Sequence, residues 1–276
     1  MITLNKTQLQ NFEKIYNLSR HEILILLKEI MRRDYTKLFF QDKYEISEKD
    51  YETFKLWLHR RSNGEPIAKI IEKKEFYGNL FKTTKNTLDP RPETELLIDI
   101  FRDIYQNYSC NLKILDLGAG TGCIGISILK LYKNATCCFV DISKNAISIA
   151  KQNATSHYVY NRSKFVISNW FKNIRSKFDI IISNPPYVSN NYNLDRETLY
   201  DPAIALFGGN NGLDAYKVIL PYASKYLSNN GILIIEIGFD QSEKIKNIQT
   251  DLKLLSIKHD LAGHNRACVF CKNCFV

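Results

Sequence analysis

The stretch that decides the fold is residues 113–122, which read KILDLGAGTG. Its apolar first half predicts a short buried strand, and a helical pattern begins at Cys123, directly after Gly122. Glycines between a strand and a helix let the backbone turn sharply and approach a ligand at the helix N-terminus. The dinucleotide fingerprint G-x-G-x-x-G requires a glycine where Cys123 stands, so the pattern disfavours a nicotinamide or flavin site.

Two acidic residues indicate which ligand this turn would hold. Asp116 precedes the glycines, where a carboxylate suits an ammonium group and disfavours a pyrophosphate. Asp141 ends the next predicted strand, where a carboxylate can accept from both hydroxyls of a ribose. An adenosyl group with an amino-acid tail fits both positions, and that ligand is S-adenosylmethionine. A purely structural glycine turn is the alternative, and the position of Asp141 argues against it. The residues predicted to bind the cofactor are Asp116, Gly118, Ala119, Gly120, Thr121, Gly122 and Asp141.

Strands and helices alternate through the second part of the chain. Strands are predicted over residues 113–116, 136–141, 164–168, 178–183, 232–237, 252–259 and 267–271, and helices over 123–132, 143–153, 213–227 and 241–248. This alternation predicts an α/β domain whose mostly parallel sheet is covered on both faces. Because the last two strands are consecutive, we expect an antiparallel hairpin at one edge.

The first part of the chain has helical periodicity instead. Helices are predicted over residues 3–16, 20–33 and 47–61, the last opening on the capping pattern Ser47-x-x-Asp50. The segments on either side of Gly78-Asn79 predict a β-hairpin over residues 74–84. We therefore expect a helical domain at residues 1–73, a hairpin linker at 74–88 and the α/β domain at 89–276.

A second signature, Asn184-Pro185-Pro186-Tyr187, follows the predicted strand 178–183 at the edge of the sheet where ligands bind. Consecutive prolines keep the backbone extended and remove two N–H groups, so the carbonyl of Pro185 can accept a hydrogen bond. Asn184 adds a side-chain carbonyl oxygen, and Tyr187 adds a flat aromatic face. Two acceptors can take both hydrogens of a planar NH2 group and hold its nitrogen for attack on a sulfonium methyl. The signature predicts N-methylation of an amide or exocyclic amine without a dedicated general base, and a proline-stiffened loop is the structural alternative.

Several further segments complete the pattern. They are Arg61-x-x-Gly64-Glu65-Pro66, Glu75-Phe76-Tyr77-Gly78, Pro90-Arg91-Pro92-Glu93-Thr94-Glu95, Ala205-Leu206-Phe207-Gly208-Gly209, Asn211-Gly212-Leu213, Glu236-Ile237-Gly238 with Gln241, and Asp260-x-x-Gly263-x-x-Arg266. In this order they resemble the release factor glutamine methyltransferase family, also called HemK or PrmC, over nearly the whole chain from residue 50. A sister family that methylates a ribosomal protein's glutamine differs at the Pro-Glu-Thr-Glu segment.

The resemblance implies a Rossmann-like seven-stranded methyltransferase sheet with the last strand antiparallel. It also implies methyl transfer from S-adenosyl-L-methionine to the amide nitrogen (N5) of the glutamine in the Gly-Gly-Gln motif of class 1 peptide chain release factors, leaving S-adenosyl-L-homocysteine. The cofactor residues would be Gly118–Gly122, Asp141, Asn169, Trp170 and Asn184. The glutamine residues would be Asn184, Pro185, Pro186 and Tyr187, with Asn184, Pro185 and Tyr187 catalytic. The helical domain would dock the release factor, and the enzyme would act as a monomer.

Three segments depart from the family's usual pattern. Lys69-Ile70-Ile71-Glu72 stands where the family has Tyr-Ile-x-Gly. Asn169 replaces an aspartate before Trp170, which makes a charged contact to the adenine amine neutral. Asp201-Pro202 replaces Glu-Pro. These changes bear on cofactor affinity and partner docking, since none of them alters the two signatures that carry the reaction.

Composition sets the remaining expectations. The 276 residues carry 38 Lys+Arg against 29 Asp+Glu, a net charge of +9, but no basic block is present. We therefore expect no direct nucleic-acid readout, although attraction to the acidic surface of a larger assembly stays open. The apolar runs fall short of the roughly 18–20 residues of a membrane helix, and Met1–Phe12 lacks a secretory pattern, so we expect a soluble cytoplasmic protein.

The cysteines are not expected to bind a metal. Seven cysteines in a chain without an export signal predict free thiols. Cys268-x-x-Cys271-x-x-Cys274 has the spacing of half a zinc or cluster site, but a fourth ligand at suitable spacing is absent from the sequence. We therefore interpret it as a terminal strand with incidental thiols.

Two other functions are compatible with parts of the pattern. An N6-adenine DNA or RNA methyltransferase shares the Asn-Pro-Pro-Tyr signature, but DNA enzymes of that class flip a base and usually carry a target-recognition domain. The residues outside the α/β domain are helical and lack a basic cluster, which disfavours this function. A non-catalytic module would not need both the glycine turn and Asn184–Tyr187.

Overall fold

The computed structural model describes residues 1–106 and 111–273. Contacts divide the chain into two units, and each forms its own core. The smaller unit consists of Met1–Lys73 with Leu194–Tyr200, and the larger of Lys74–Asn193 with the chain from Asp201 onward. Residues predicted as a hairpin linker thus belong to the larger unit.

The smaller unit contains five helices and a two-stranded sheet in its described residues. In chain order they are β1 (Ile2–Asn5), α1 (Lys6–Tyr16), α2 (Arg20–Met31), α3 (Tyr35–Phe39), β2 (Lys43–Ile46), α4 (Glu48–Ser62) and α5 (Ile67–Ile71). Leu26, Phe54 and Leu58 are among the side chains buried between these elements. The predicted helices 20–33 and 47–61 are confirmed as α2 and α4.

The prediction of a helix from residue 3 is wrong at its start. Residues 2–5 form β1, which pairs antiparallel with β2. The side chain of Asn5 accepts a hydrogen bond from the N–H of Gln8, and the side chain of Gln8 accepts one from the N–H of Asn5, both at 2.9 Å. Asn5 has the extended backbone of an N-cap residue, so the helix begins at Lys6.

Arg61 joins three parts of the smaller unit. Its guanidinium lies 2.7 Å from a carboxylate oxygen of Glu22 and 2.6 Å from one of Glu197, and it donates to the carbonyl of Glu65 at 3.1 Å. The turn that contains Gly64 packs against the side chain of Arg196. The Arg-x-x-Gly-Glu-Pro motif therefore fastens the segment 194–200 to the end of α4.

The larger unit begins with a hairpin and continues as alternating strands and helices. Its elements are β3 (Lys73–Phe76), β4 (Asn79–Lys82), α6 (Glu95–Tyr105), β5 (Lys113–Leu117), α7 (Cys123–Leu131), β6 (Thr136–Asp141), α8 (Lys144–Ser156), β7 (Ser163–Ile167), β8 (Phe178–Ser183), α9 (Ala203–Leu206), α10 (Asp214–Tyr226), β9 (Leu227–Glu236), α11 (Ser242–Lys246), β10 (Lys253–His259) and β11 (Asn265–Cys271). The predicted strands and helices of this part are confirmed, with ends shifted by a few residues. Helix α6 was not predicted.

The hairpin is confirmed, but its turn lies one residue earlier than predicted. Tyr77 and Gly78 form the turn, and Asn79 is already the first residue of β4. Both turn residues have positive φ, of 50° and 65°. A two-residue turn of this kind matches the twist of the strands it joins.

The seven strands of the larger unit lie in the order β10-β11-β9-β8-β5-β6-β7. Neighbours from β9 to β7 are parallel, whereas β11 is antiparallel to both β9 and β10. The predicted fold class, a seven-stranded methyltransferase sheet with the last strand antiparallel, is therefore confirmed. Chain order reverses between β5 and β8, so the carboxyl ends of β5, β6, β8 and β9 meet at one edge, where such sheets bind ligands.

Both faces of this sheet are covered. One face packs side chains such as Ile114 and Phe139 against α6, α7 and α8. The other packs Leu115 and Ile181 against residues of α10 such as Tyr216. Parallel strands buried on both faces need nearly continuous apolar sequences, which explains why the strands were recognisable.

In the part of the chain that the structure describes, no helix combines the length and the apolar character needed to cross a membrane. Four cysteines there, Cys123, Cys137, Cys138 and Cys268, are free and buried. The expectation of free thiols is wrong for Cys271, which forms a disulfide. Cys268 lies on β11, as predicted for a terminal strand, and Cys274 lies outside the described residues. Residues 1–106 and 111–273 hold no group of three or more His, Cys, Asp or Glu side chains arranged to bind a metal.

Asn153 on α8 ties the hairpin to the glycine turn. Its side chain accepts from the N–H of Lys82 at 2.8 Å, and it donates to the carbonyls of Lys82 at 3.0 Å and Thr121 at 2.9 Å. Asn153 is 2% exposed, so water cannot replace these three hydrogen bonds.

We expect Asn153→Ala to lower the free energy of unfolding by about 2–3 kcal/mol, because it leaves buried backbone groups without partners. Chemical denaturation of the purified protein measures this change. The control is Gln152→Ala on the same helix, an exposed position that should change stability by less than about 0.5 kcal/mol. Equal losses for the two variants would contradict the assignment.

Candidate active site

A cavity of about 680 Å³ opens at the carboxyl edge of the large sheet. It is bounded by the turns that follow β5, β6, β7 and β8 and by residues of α9 and α10. Seven of the predicted site residues line it: Gly118, Gly120, Asp141, Asn169, Trp170, Asn184 and Pro186. Segments more than 60 positions apart in the sequence are thus brought to one site.

The glycine turn is held against the end of β6. The N–H groups of Gly118 and Ala119 both donate to the carbonyl of Val140 at 2.8 Å, and the N–H of Gly120 donates to Oδ2 of Asp141 at 2.9 Å. Gly118 and Gly120 have φ of 79° and 55°, a region that glycine adopts at little cost. No heavy atom lies within 4 Å of where a Cβ of Gly120 would stand, so this turn borders open space.

Asp141 lies in the cavity wall with its carboxylate partly used. Besides the bond from Gly120, Oδ1 accepts from the N–H of Ser143 at 2.8 Å. Burial raises the pKa of Asp141, and hydrogen bonds from the backbone N–H groups of Ser143, Gly120 and Ile142 oppose that shift. A carboxylate offers about four acceptor sites, so acceptor capacity remains for a hydroxyl-bearing ligand.

Asp116 does not occupy the position that the sequence analysis predicts for it. It is fully buried and does not line the cavity, because alternate side chains of β5 face opposite sides of the sheet and Asp116 faces α7. Its Oδ2 accepts from the N–H of Gly125 at 3.0 Å, in the first turn of α7. Direct contact with a ligand in the cavity therefore does not fit, and Asp116 instead supports the helix start that follows the glycine turn. Ala119, Thr121 and Gly122 also lie outside the cavity lining.

Trp170 and Asn169 lie in the turn after β7. Trp170 has a φ of 47°, an uncommon conformation for a bulky residue, and such strain is frequent at ligand sites. Its ring covers Gly118, with Cζ3 3.7 Å from where a glycine Cβ would stand. Asn169 is exposed at the cavity wall. Neighbouring lining residues were not predicted, because isolated apolar or polar residues in loops carry no spacing signal. Leu88, Ile142 and Ser143 are examples.

The Asn-Pro-Pro-Tyr segment contributes Asn184 and Pro186 to the cavity wall. The side-chain amide nitrogen of Asn184 donates to Oγ1 of Thr94 at 2.9 Å, so a residue outside the cavity lining orients its carboxamide. Pro185 is buried, and Tyr187 turns its hydroxyl to a carboxylate oxygen of Glu236 at 3.2 Å. Neither Pro185 nor Tyr187 is among the residues that line the cavity.

A glycine-rich loop supports this segment by close backbone approach. A Cβ on Gly208 would lie 2.5 Å from the carbonyl oxygen of Pro186, and one on Gly212 would lie 2.1 Å from that of Tyr187. The side chain of Gln241 donates to the carbonyls of Tyr187 at 2.9 Å and Gly212 at 3.2 Å. These contacts explain why three distant motifs of the sequence occur together.

Comparisons with known proteins agree with this geometry. The family model "PrmC N-terminal domain" matches residues 6–71, and the "Methyltransferase small domain" matches residues 84–200. The release factor glutamine methyltransferase of Buchnera aphidicola subsp. Acyrthosiphon pisum is 34% identical over 269 residues, which cover 96% of this chain and 95% of that protein. This chain belongs to the release factor glutamine methyltransferase family.

Other relatives are longer than this chain. The bifunctional methyltransferase of Rickettsia bellii is 38% identical over 276 aligned positions, covering 89% of this chain. The chain spans about half the length of that curated relative. Among solved structures, a methyltransferase from Pyrococcus furiosus shares the fold, with a TM-score of 0.52 and 16% identity over 75% of this chain and 93% of the other.

In this family member, Gly212→Ala should destabilise the fold more than Gly78→Ala. Both glycines have a φ near 65°, but only Gly212 has a backbone oxygen where the new Cβ would stand. We expect about 1–2 kcal/mol for the conformation alone and at least about 2 kcal/mol more for the collision. Denaturant titration of both variants measures the difference, and similar values would show that the close approach is unimportant.

Asp116 should make stability depend on pH. Burial raises its folded-state pKa from 3.8 to about 7, so between these values the folded protein keeps a proton that the unfolded chain has lost. The free energy of unfolding should therefore fall as the pH rises from about 4 to about 7. Asp116→Asn should reduce this slope, to which Glu236 also contributes, and Asp103→Asn, an exposed change, should leave it unaltered in denaturation curves across that range. A wild-type slope in Asp116→Asn would contradict this explanation.

Proposed function

We propose that this protein transfers a methyl group from S-adenosylmethionine to the amide nitrogen of the glutamine in the Gly-Gly-Gln motif of class 1 peptide chain release factors. The observation that carries the proposal is the position of Asn184, whose oriented carboxamide lines the same cavity as the glycine turn and Asp141. A methyl donor and an amide acceptor would therefore meet at one sheet edge. Membership of the family supports the choice of substrate.

The residues of the cavity fit the proposed cofactor. The remaining acceptor sites of Asp141 suit the two ribose hydroxyls, and the open space beside Gly120 suits the amino-acid tail. Trp170 offers an aromatic surface, and Asn169 a neutral hydrogen-bonding group, beside this wall. When bound, S-adenosylmethionine supplies an electrophilic methyl on a sulfonium. Asp116 is assigned a supporting role beneath the turn, without contact to the cofactor.

The acceptor amide is proposed to be held by two hydrogen-bond acceptors. An amide nitrogen is a weak nucleophile because its lone pair is delocalised into the carbonyl. If the side-chain oxygen of Asn184 and the carbonyl of Pro185 accept its two hydrogens, the nitrogen is fixed in line with the methyl group. The new N–C bond forms as the S–C bond breaks, and the cationic product then loses one N–H proton. We assign Pro186 and Tyr187 to shaping this acceptor pair.

Further proposals concern the docking of the substrate protein, the oligomeric state and the place of action. The smaller unit is proposed to dock the release factor, in agreement with the match of residues 6–71 to a domain found in this family. The protein is proposed to act as a monomer. Release factors work on ribosomes, so the proposed place of action is the cytoplasm, with recognition directed at protein rather than nucleic acid.

Labelled cofactor tests the reaction directly. The protein is incubated with a class 1 release factor, with the same factor carrying Ala in place of the Gly-Gly-Gln glutamine, or with duplex DNA. We expect label on the wild-type factor alone, located by mass spectrometry on that glutamine. Label on DNA would favour an exocyclic adenine amine as acceptor, because the same two acceptor groups suit both. Equal label on the substituted factor would overturn the proposed site.

Asn184→Ala should reduce methyl transfer by at least about 100-fold, because it removes one of two acceptors that hold the reacting nitrogen. Calorimetric binding of S-adenosylhomocysteine should remain within a few-fold of wild type. The control is Asn161→Ala, an exposed change outside the cavity lining, which should leave turnover unaltered. Near-normal turnover by Asn184→Ala would rule out the two-acceptor arrangement.

A further inference from the structure

The direction of the Asn184 carboxamide depends on a residue that the proposed reaction does not itself use. Its nitrogen donates to Oγ1 of Thr94 at 2.9 Å. Thr94 is 2% exposed and ends the short 3-10 helix Pro92–Thr94, inside the Pro-Glu-Thr-Glu motif. A carboxamide has a donor end and an acceptor end, and only the acceptor end can hold the N–H of a substrate amide. The partner of the other end therefore matters.

A buried carboxyl group stands behind Thr94. Glu236, at the end of β9, is 1% exposed, and its Oε1 accepts from the hydroxyl of Tyr187 at 3.2 Å. Its Oε2 is buried and has no hydrogen-bond partner among the residues that the structure describes. The hydroxyl of Thr94 is one of the neighbouring groups that favour its ionised form, together with Tyr187 and the charge of Arg266.

A hydrogen bond from the hydroxyl of Thr94 to the unpartnered oxygen of Glu236 would join these groups into a chain with a single direction. An ionised carboxyl carries no hydrogen, so it can only accept. A threonine hydroxyl has one hydrogen, and if that hydrogen points to Glu236, the oxygen of Thr94 can only accept from Asn184. The nitrogen of Asn184 then faces Thr94, and its oxygen Oδ1 is left to face the cavity.

We infer that Thr94 and Glu236 are positioning residues that set the direction of this hydrogen-bond chain, so that Asn184 presents its oxygen to the substrate amide. The inference rests on the proposed function for its consequence, since it explains how an N–H group of the substrate is accepted. Glu236 also holds Tyr187, so one carboxyl group orients both ends of the Asn-Pro-Pro-Tyr segment. Neither positioning residue lines the cavity.

Reversal of the chain would oppose the reaction. If Thr94 donated to the oxygen of Asn184, the carboxamide would rotate by half a turn and direct its NH2 group at the NH2 group of the substrate. Two donors cannot hydrogen-bond to one another, and the site would lose one of its two proposed acceptors. A protonated Glu236 permits this reversal, because it can donate to Thr94.

The surroundings of Glu236 place its protonation in an experimentally accessible pH range. Burial raises its pKa to about 7, opposed by the nearby hydroxyls of Thr94 and Tyr187 and by the positive charge of Arg266. Glu93 and Tyr216 are the other titratable groups that interact with this network, and Asp260 forms an ion pair with Arg266 at 3.0 Å. Because the ionised form sets the productive direction, turnover should rise with pH through the neutral range.

The kinetic test compares Thr94→Val, which keeps the shape but removes the hydroxyl, with Thr94→Ser, which keeps the hydroxyl. We expect kcat to fall at least about tenfold in Thr94→Val and to return to within about threefold of wild type in Thr94→Ser. The KM for S-adenosylmethionine should change little. Thr155→Val, at an exposed site on α8, is the matched control. Wild-type kcat in Thr94→Val, or equal losses in both Thr94 variants, would overturn the inference.

The pH dependence provides a second kinetic readout. Wild-type kcat should fall as the pH is lowered below neutrality. The Glu236→Gln variant should lack this acid limb of the pH profile, because glutamine does not ionise. A purely structural role for Glu236 would lower kcat at all pH values and leave the limb in place. That result would contradict the inference.

A spectroscopic test does not depend on catalysis. In protein labelled with ¹⁵N-asparagine, the side-chain amide signals of Asn184 are assigned by their loss in Asn184→Ala. We expect these signals to shift with pH near neutrality in wild type and to be insensitive to pH in Glu236→Gln and Thr94→Val. Absence of the shift in wild type would overturn the inference. If the shift is present but no release factor is methylated, the proposed function fails while the hydrogen-bond chain stands.

Discussion

The hydrogen bonds from the N–H groups of Gly118 and Ala119 to the carbonyl of Val140 are the constraint on which the site depends. They attach the turn after β5 to the last residues of β6, the neighbouring strand in the sheet. With the turn held there, the N–H of Gly120 meets the carboxylate of Asp141, and Trp170 covers Gly118. The wall proposed to hold the cofactor thus follows from the order of the strands and from one shared carbonyl group.

The opposite wall is built by a different principle. The Asn-Pro-Pro-Tyr segment has few N–H groups with which to form a sheet, so neighbouring backbone and side chains hold it in place. Gly212 allows close approach to the carbonyl of Tyr187, Gln241 donates to the same carbonyl, and Thr94 accepts from Asn184. These residues come from three separate motifs of the sequence. Each motif accompanies the signature because it supplies one of its supports.

Charge contributes to the site mainly through buried groups. Asp116 and Glu236 are both fully buried acids whose pKa values are raised to about 7 by loss of hydration. Burying such groups costs stability, which indicates that their positions serve another purpose. Asp116 supports the start of α7, and Glu236 supports the polar segment at the end of β8. The net charge of +9 of the whole chain is not needed to explain these arrangements.

The sequence by itself determined the α/β class, the antiparallel strands at one edge of the sheet, and the two signatures that mark the cavity. It could do so because glycine turns, proline pairs and buried apolar strands each leave a local pattern that does not depend on distant residues. It did not reveal the β1–β2 sheet, since two four-residue strands become stable only by pairing across some 40 positions. It also placed Asp116 in contact with the ligand, whereas the pleat of β5 turns that side chain toward α7. Tertiary structure alone decided which face each polar side chain occupies and that Thr94 lies beside Asn184, because those contacts join segments 90 positions apart.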